Sequence, residues 1–196
     1  MSFSQNSNNK GVVETRKFLL SVAREMCVNA DSSEHKSVIN GFADDIRSAI
    51  LKKQSVKTIT ASNQLQKAGD TRLARQLIDL SDHLPWTISF RTPNAGNKIS
   101  LCNFNDLFIL KSYTAGLIYL DPGQAYPEHR HPPTEYYFTL SGKADWRYGG
   151  SEEYRAVSVG NLLYNNSLDL HGIRNSNTPL LAFFLLPMQP ADGNSK

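Results

Sequence analysis

His129, His131 and Glu135 fall within seven positions of the run EHRHPPTEYYFTL, residues 128–140, and Tyr136 and Tyr137 follow directly. Two of the chain's five histidines lie in this run. Imidazole and carboxylate donors at such close spacing suit a first-row transition metal. Side chains alternate faces along an extended chain, so His129, His131, Glu135 and Tyr137 share one parity and Tyr136 faces the other way. Pro132 and Pro133 bend the chain between them, so parity guides the reading without proving it. The expectation is that two imidazoles, a carboxylate and a phenol converge on one face, with His171 of NNSLDLHGIRN as the outlying ligand. Arg130 should face outward by the same parity. His35, at a polar helix start, and His83, in the SDHLP breaker, are expected at the surface.

Two unlike halves must position these residues. Over residues 1–84, Val12, Leu19, Val22, Ala23 and Met26 recur at helical intervals. A second helix is expected from DSSE (31–34), capped by Asp31 or Ser32, with Val38, Ile39, Phe42, Ile46, Ala49 and Ile50 inside. Lys52, Lys53 and Lys57 suit the negative end of its dipole. A short helical piece is expected near 60–68. A third helix, capped by Asp70, carries Leu73, Leu77, Ile78 and Leu80. From Trp86 onward, short β-favouring runs alternate with turn signals such as TPNAGNK, DPGQ and SGK, as in a sandwich or barrel. The expected class is α+β, mainly β: a helical extension at 1–84, an antiparallel β-barrel at 85–190 and a flexible tail at 191–196. The ends, 1–9 and 189–196, read as disordered.

Composition narrows the function classes. The chain has 196 residues, 40% hydrophobic and 20% charged, enough for a substantial core. Net charge is +3, carried by residues 1–84 with no basic stripe, which gives a nucleic-acid partner little support. The start MSFSQNSNN lacks a signal-peptide pattern and the apolar run LLAFFLLP is too short to span a bilayer. A cytoplasmic protein, monomer or homodimer, is expected. Cys27 and Cys102 form no CxxC pair and read as free thiols.

The spacing Gly123-x5-His129-x-His131-x3-Glu135-x6-Gly142 resembles the first motif of the cupin superfamily, and Gly160, His171 and Asn175 match its second. Asn166 and Leu168 stand where cupins usually have Pro and Gly. The chain looks like the cupin-type dimethylsulfoniopropionate (DMSP) lyases, most closely the DddQ type. A helical extension before a single cupin jelly roll, the Tyr126-Pro-Glu-His-Arg-His run and the Glu135/Tyr137 pair carry that likeness. The resemblance implies cleavage of DMSP to dimethyl sulfide and acrylate on one divalent metal. It implies ligation by His131, Glu135 and His171, with His129 a ligand or close beside it. It also implies Tyr137 as the base and Tyr126 at the metal.

The chemistry agrees on general grounds. Elimination β to a sulfonium requires loss of a weakly acidic α-proton, which a cation at the carboxylate assists. A free phenol, with a pKa of about 10, becomes a useful base only beside such a cation. Ligand types leave zinc, iron(II), nickel, cobalt and manganese open. The sulfonium calls for an aromatic face. Tyr126, Tyr136, Trp146, Tyr148, Phe183 and Phe184 are the available rings, most of them more naturally core residues. Tyr126, His129 and Trp146 are retained as substrate-binding candidates. Two alternatives use the same fold: an iron(II) dioxygenase with Tyr137 as bystander, or a small-molecule-binding cupin without catalysis.

Overall fold

The computed structural model describes residues 2–52, 62–69, 71–89, 99–175 and 177–188. Four helices open the chain: α1 (Ser2–Asn29), α2 (Ser33–Ser48), α3 (Ser62–Lys67) and α4 (Arg72–Leu80). Ser32 caps α2 by accepting the His35 N–H at 3.1 Å, which satisfies one of the donors a helix start leaves open. Thr71 caps α4 through Ala74 N–H and donates its own hydroxyl to Leu140 O at 2.7 Å, fixing the helix to the strand beneath it. The expected cap Asp70 lies outside the described residues, as do Lys53, Lys57, the TPNAGNK turn and the tail from 189.

Three expectations need correction. Residues 2–9, read as disordered, form the first turns of α1. Ile50 does not extend the buried stripe of α2: the helix stops at Ser48, and Ile50 is 66% exposed. It begins a short strand, β1 (Ile50–Leu51), which pairs with β4 (Phe108–Ile109). The helical reading of the first 84 residues had missed this strand because two residues carry no periodicity.

The remaining strands form two antiparallel sheets. One has the order β10 (Leu162–Asn165), β7 (Glu135–Ser141), β12 (Leu180–Pro187), β5 (Tyr113–Leu120), β3 (Ile99–Asn103), β2 (Trp86–Ser89). The other runs β6 (Ala125–His129), β11 (His171–Asn175), β8 (Ala144–Arg147), β9 (Arg155–Val157). They face each other as a cupin-type jelly roll. Among the described residues no hydrogen-bonded ladder closes them into a continuous barrel.

Apolar alternation along the strands of the larger sheet produces two cores. Its outer face takes the helices: Leu19, Met26, Phe42, Ile46 and Leu77 meet Trp86, Phe104, Tyr136, Phe138 and Phe183. Its inner face meets the smaller sheet, with Ile118, Tyr137, Leu163 and Ala182 against Tyr126, Trp146 and Ile173. Every position of β7 is therefore buried, odd residues on one side and even residues on the other. Buried Asp45 adds a polar tie: its Oδ2 accepts the N–H groups of Lys111 at 2.8 Å and Ser112 at 2.9 Å. Tyr113 donates its hydroxyl to Val38 O at 3.0 Å. The helical layer thus covers the outer face of the sheet and leaves the inner face to the cavity.

Candidate metal centre

Three strand ends build the centre. β6 ends at His129, and β11 begins at His171 directly opposite it in register. The segment 130–134 then crosses between the sheets, carrying His131, and β7 starts at Glu135. Proline bends that connection as the sequence suggests, yet the shared parity survives. His129, His131, Glu135 and His171 each offer one ligand atom, and these atoms lie within 4.8 Å of one another. The imidazoles crowd together, with ring centroids 4.2 Å apart for His129–His171 and 5.0 Å for His131–His171.

Backbone carbonyls orient all three rings. His129 Nδ1 faces Pro127 O at 2.9 Å, His131 Nδ1 faces Pro133 O at 2.9 Å, and His171 Nδ1 faces Asp169 O at 2.8 Å. A carbonyl only accepts, so each Nδ1 carries a proton and each ring turns its Nε2 towards the centre. His131 Nε2 and His171 Nε2 point at the same Glu135 oxygen, at 3.1 and 3.0 Å. His171 Nε2 is buried and, despite that proximity, lacks a well-formed hydrogen bond. Converging lone pairs beside a carboxylate repel one another unless a proton or a cation lies between them. The donor set and the orphaned nitrogen therefore fit a divalent metal bound by three imidazoles and one carboxylate.

Electrostatics point the same way. Burial raises the Glu135 carboxyl pKa, but the close approach of His131 and His171 outweighs it and holds the group below its ordinary value. Burial lowers the His129 pKa, only partly offset by the Pro127 carbonyl. An ionised carboxylate and a neutral imidazole are the forms that bind metal.

A turn at 166–169 links two of the candidate ligands, His131 and His171. Asn166 donates its N–H and side-chain amide to Asp169 Oδ2, at 2.8 and 3.2 Å. Leu168, at φ 64°, donates its N–H to His131 O at 3.0 Å. The carbonyl that orients His171 belongs to the next residue, Asp169. The position where cupins usually have Gly thus keeps a left-handed backbone with a leucine on it.

A cavity of about 330 Å³ opens against the centre. His129, His131, Glu135, Tyr126 and Tyr137 line one side of it. Tyr126 sets its ring edge-on to His129, with centroids 4.7 Å apart. Tyr137, 3% exposed, packs on Trp146 at 5.0 Å and lies 6.2 Å from His171. Tyr136 turns away into the helical core, where burial pushes its pKa far up. Trp146 is buried behind Tyr137 and does not line the cavity. His83 and Arg130 are exposed. His35, expected at the surface, instead has its ring against Tyr164 and Tyr136, with centroids 4.6 and 5.4 Å away. Its polar surroundings in sequence concealed aromatic neighbours some 100 residues distant.

The far wall was not anticipated. Thr87, Asn103, Asp106, Thr114, Phe184 and Leu186 form it, from β2, β3, the turn after β3, β5 and β12. Tyr137, Phe184, Gly116 and Asn103 occupy one row across four strands. A side chain at Gly116 would overlap the Phe184 ring and the Cys102 carbonyl, so the glycine lets that ring lie across β5. Of this wall, Phe184 alone stands among the rings that the sequence offers for the sulfonium.

Relatives share this architecture. A chain from the crystal structures of the DMSP lyases RdDddP and RnDddQII superimposes with a TM-score of 0.73 at 16% identity, covering 95% of this chain and 97% of that one. The DMSP lyase DddQ from Ruegeria pomeroyi DSS-3 does so with a TM-score of 0.62 at 18% identity, covering 76% of this chain and 81% of that one. At such identities the likeness is one of fold. In sequence, the dimethylsulfoniopropionate lyase DddQ of Ruegeria pomeroyi is 32% identical over 78 residues, which span 40% of this chain and 38% of that relative. The profile of the dimethylsulfoniopropionate lyase family matches residues 52–182, more than half of the chain, and the chain belongs to that family.

Proposed function

We propose that the protein is a metal-dependent carbon–sulfur lyase that cleaves DMSP to dimethyl sulfide and acrylate. The observation that carries this reading is the convergence of three Nε2-presenting imidazoles and one carboxylate beside a cavity whose wall also holds Tyr137. His129, His131, Glu135 and His171 would hold the metal. When bound, the metal supplies a positive charge for the substrate carboxylate and for the charge that develops at the α-carbon.

The chain's own residues supply the rest. The described lining contains no Lys or Arg, so no side-chain cation competes with the ligand cluster for a substrate carboxylate. Tyr137, wedged between Trp146 and the His171 side of the site, is held on the ligand face with little freedom to rotate. Its phenolate oxygen accepts the α-proton. The C–H electron pair becomes the new C=C bond, and the C–S pair leaves with sulfur as neutral dimethyl sulfide, which needs no general acid. Tyr126, beside His129, bounds the space in which the substrate carboxylate lies.

Headspace detection of dimethyl sulfide from purified protein with DMSP, with and without a chelator, tests the activity and its metal dependence. A dioxygenase would instead consume oxygen and release no volatile sulfide. Tyr137→Phe should abolish release while the protein stays folded and metal-loaded; near-normal activity would remove Tyr137 as the base.

A further inference from the structure

The cavity has a second carboxylate. Asp106 lies on the wall reached through β3, whereas Glu135 opens β7 of the same sheet and meets there the imidazoles carried by β6, β11 and the 130–134 connection. From β7 to β3 are three strand spacings, about 14 Å between backbones. Side chains reaching in from both ends leave room for a molecule a few ångströms long.

Asp106 is rigidly presented. It closes a single 3-10 turn, Phe104–Asp106, that follows β3. Phe104 is fully buried and anchors the turn in the helical core. Asn103 caps it by accepting the Asn105 N–H at 3.0 Å. The Asn105 amide then takes over from the β3–β5 ladder where the backbone turns away. It donates to Tyr113 O at 2.8 Å and accepts the Ala115 N–H at 3.0 Å. Both flanks of Asp106 are thus tied down. Among the described residues its carboxylate makes no ion pair and no hydrogen bond. A fixed acid facing a cavity without an internal partner is complementary to a ligand cation.

We infer that Asp106 receives the cationic end of the substrate and so selects zwitterions over simple anionic carboxylates. The inference rests on reading the site as one for a sulfonium carboxylate. The two ends of such a molecule, a carboxylate and an onium separated by two methylenes, match the two ends of the cavity. Phe184, on the row between them, offers its ring as the apolar floor under the methylenes and methyl groups.

The test uses an unreactive pair of equal shape: 3-(trimethylammonio)propanoate, which is cationic at the far end, and 4,4-dimethylpentanoate, which is not. Their affinities for the metal-loaded protein are measured by calorimetry. Wild type should prefer the cationic member. Asp106→Asn should weaken that member about tenfold, the size of one charge contact in a partly solvated site, and leave the simple anionic member unchanged. Asp106→Glu, which keeps the charge, should keep the preference. Equal weakening of both ligands by Asp106→Asn, no weakening of the cationic one, or binding of neither by wild type would overturn the inference. Dimethyl sulfide release by wild type is scored separately. Release with an unchanged ligand preference in Asp106→Asn sinks only the role of Asp106; no release, with the preference lost as expected, sinks only the lyase reading.

Discussion

Leu168 offers a test of the ligand-bearing turn in which glycine should outperform alanine. Its backbone sits at φ 64°, where a Cβ crowds the following carbonyl and costs an L-residue about 1–2 kcal/mol. The turn cannot relax easily, because the Leu168 N–H is bound to His131 O at 3.0 Å and the next carbonyl orients His171. The side chain is 54% exposed, so truncation also removes some apolar contact. Comparing Leu168→Ala with Leu168→Gly cancels that loss, since both variants discard the same atoms beyond Cβ. At ordinary positions glycine is worse than alanine by about 0.5–1 kcal/mol, from the freedom it gains when unfolded. Here relief of the Cβ clash should outweigh that penalty and leave Leu168→Gly about 0.5–1 kcal/mol more stable than Leu168→Ala. For a chain of this length that is a difference of about 1–4 °C in Tm, readable by calorimetry on the metal-free proteins. Alanine equal to or above glycine would mean that the left-handed turn is not held in solution, and with it the link between His131 and His171.

Two further perturbations separate the metal centre from the cavity wall. His171→Ala should lose both bound metal and activity. Chelation of wild type should lower Tm by about 5–10 °C, as expected when a ligand at about 100 times its Kd is withdrawn; full metal content in His171→Ala would show that the outlying ligand lies elsewhere. Gly116→Ala forces a methyl into the Phe184 ring and the Cys102 carbonyl, at a cost of about 1–3 kcal/mol for overpacking. It should raise KM for DMSP while metal content, set by residues on other strands, stays normal. An unchanged KM with a lowered Tm would confine Phe184 to packing.

The sequence made some parts of this site readable and hid others for one physical reason. His129, His131, Glu135 and Tyr137 lie within nine positions, so strand parity and motif spacing suffice to put them on one face. The separation of Tyr136 from Tyr137 followed from parity alone, and the two now sit in different cores. His171 was reachable because its motif has its own spacing. The far wall was not, because Asn103, Asp106, Thr114 and Phe184 come together only through the register of β3, β5 and β12. Register depends on pairing partners that no local pattern names. His35 was misjudged on the same ground: its polar neighbours in sequence say nothing of Tyr164 across the fold.

The helical layer explains why parity remains meaningful on a strand with no exposed residue. A strand buried on both faces usually reads as a uniform apolar run, and β7 is buried throughout. Here the two faces have different partners. The outer one takes Tyr136, Phe138 and Leu140 into an apolar core closed by α1, α2 and α4. The inner one gives Glu135 and Tyr137 to the cavity. A one-residue slip of β7 would place an ionised carboxylate against the helices, at a cost of several kcal/mol, and would leave three imidazoles without an anion. The helices therefore act on the chemistry indirectly. By demanding an apolar face they fix the register of β7, and the register of β7 decides which tyrosine lines the cavity.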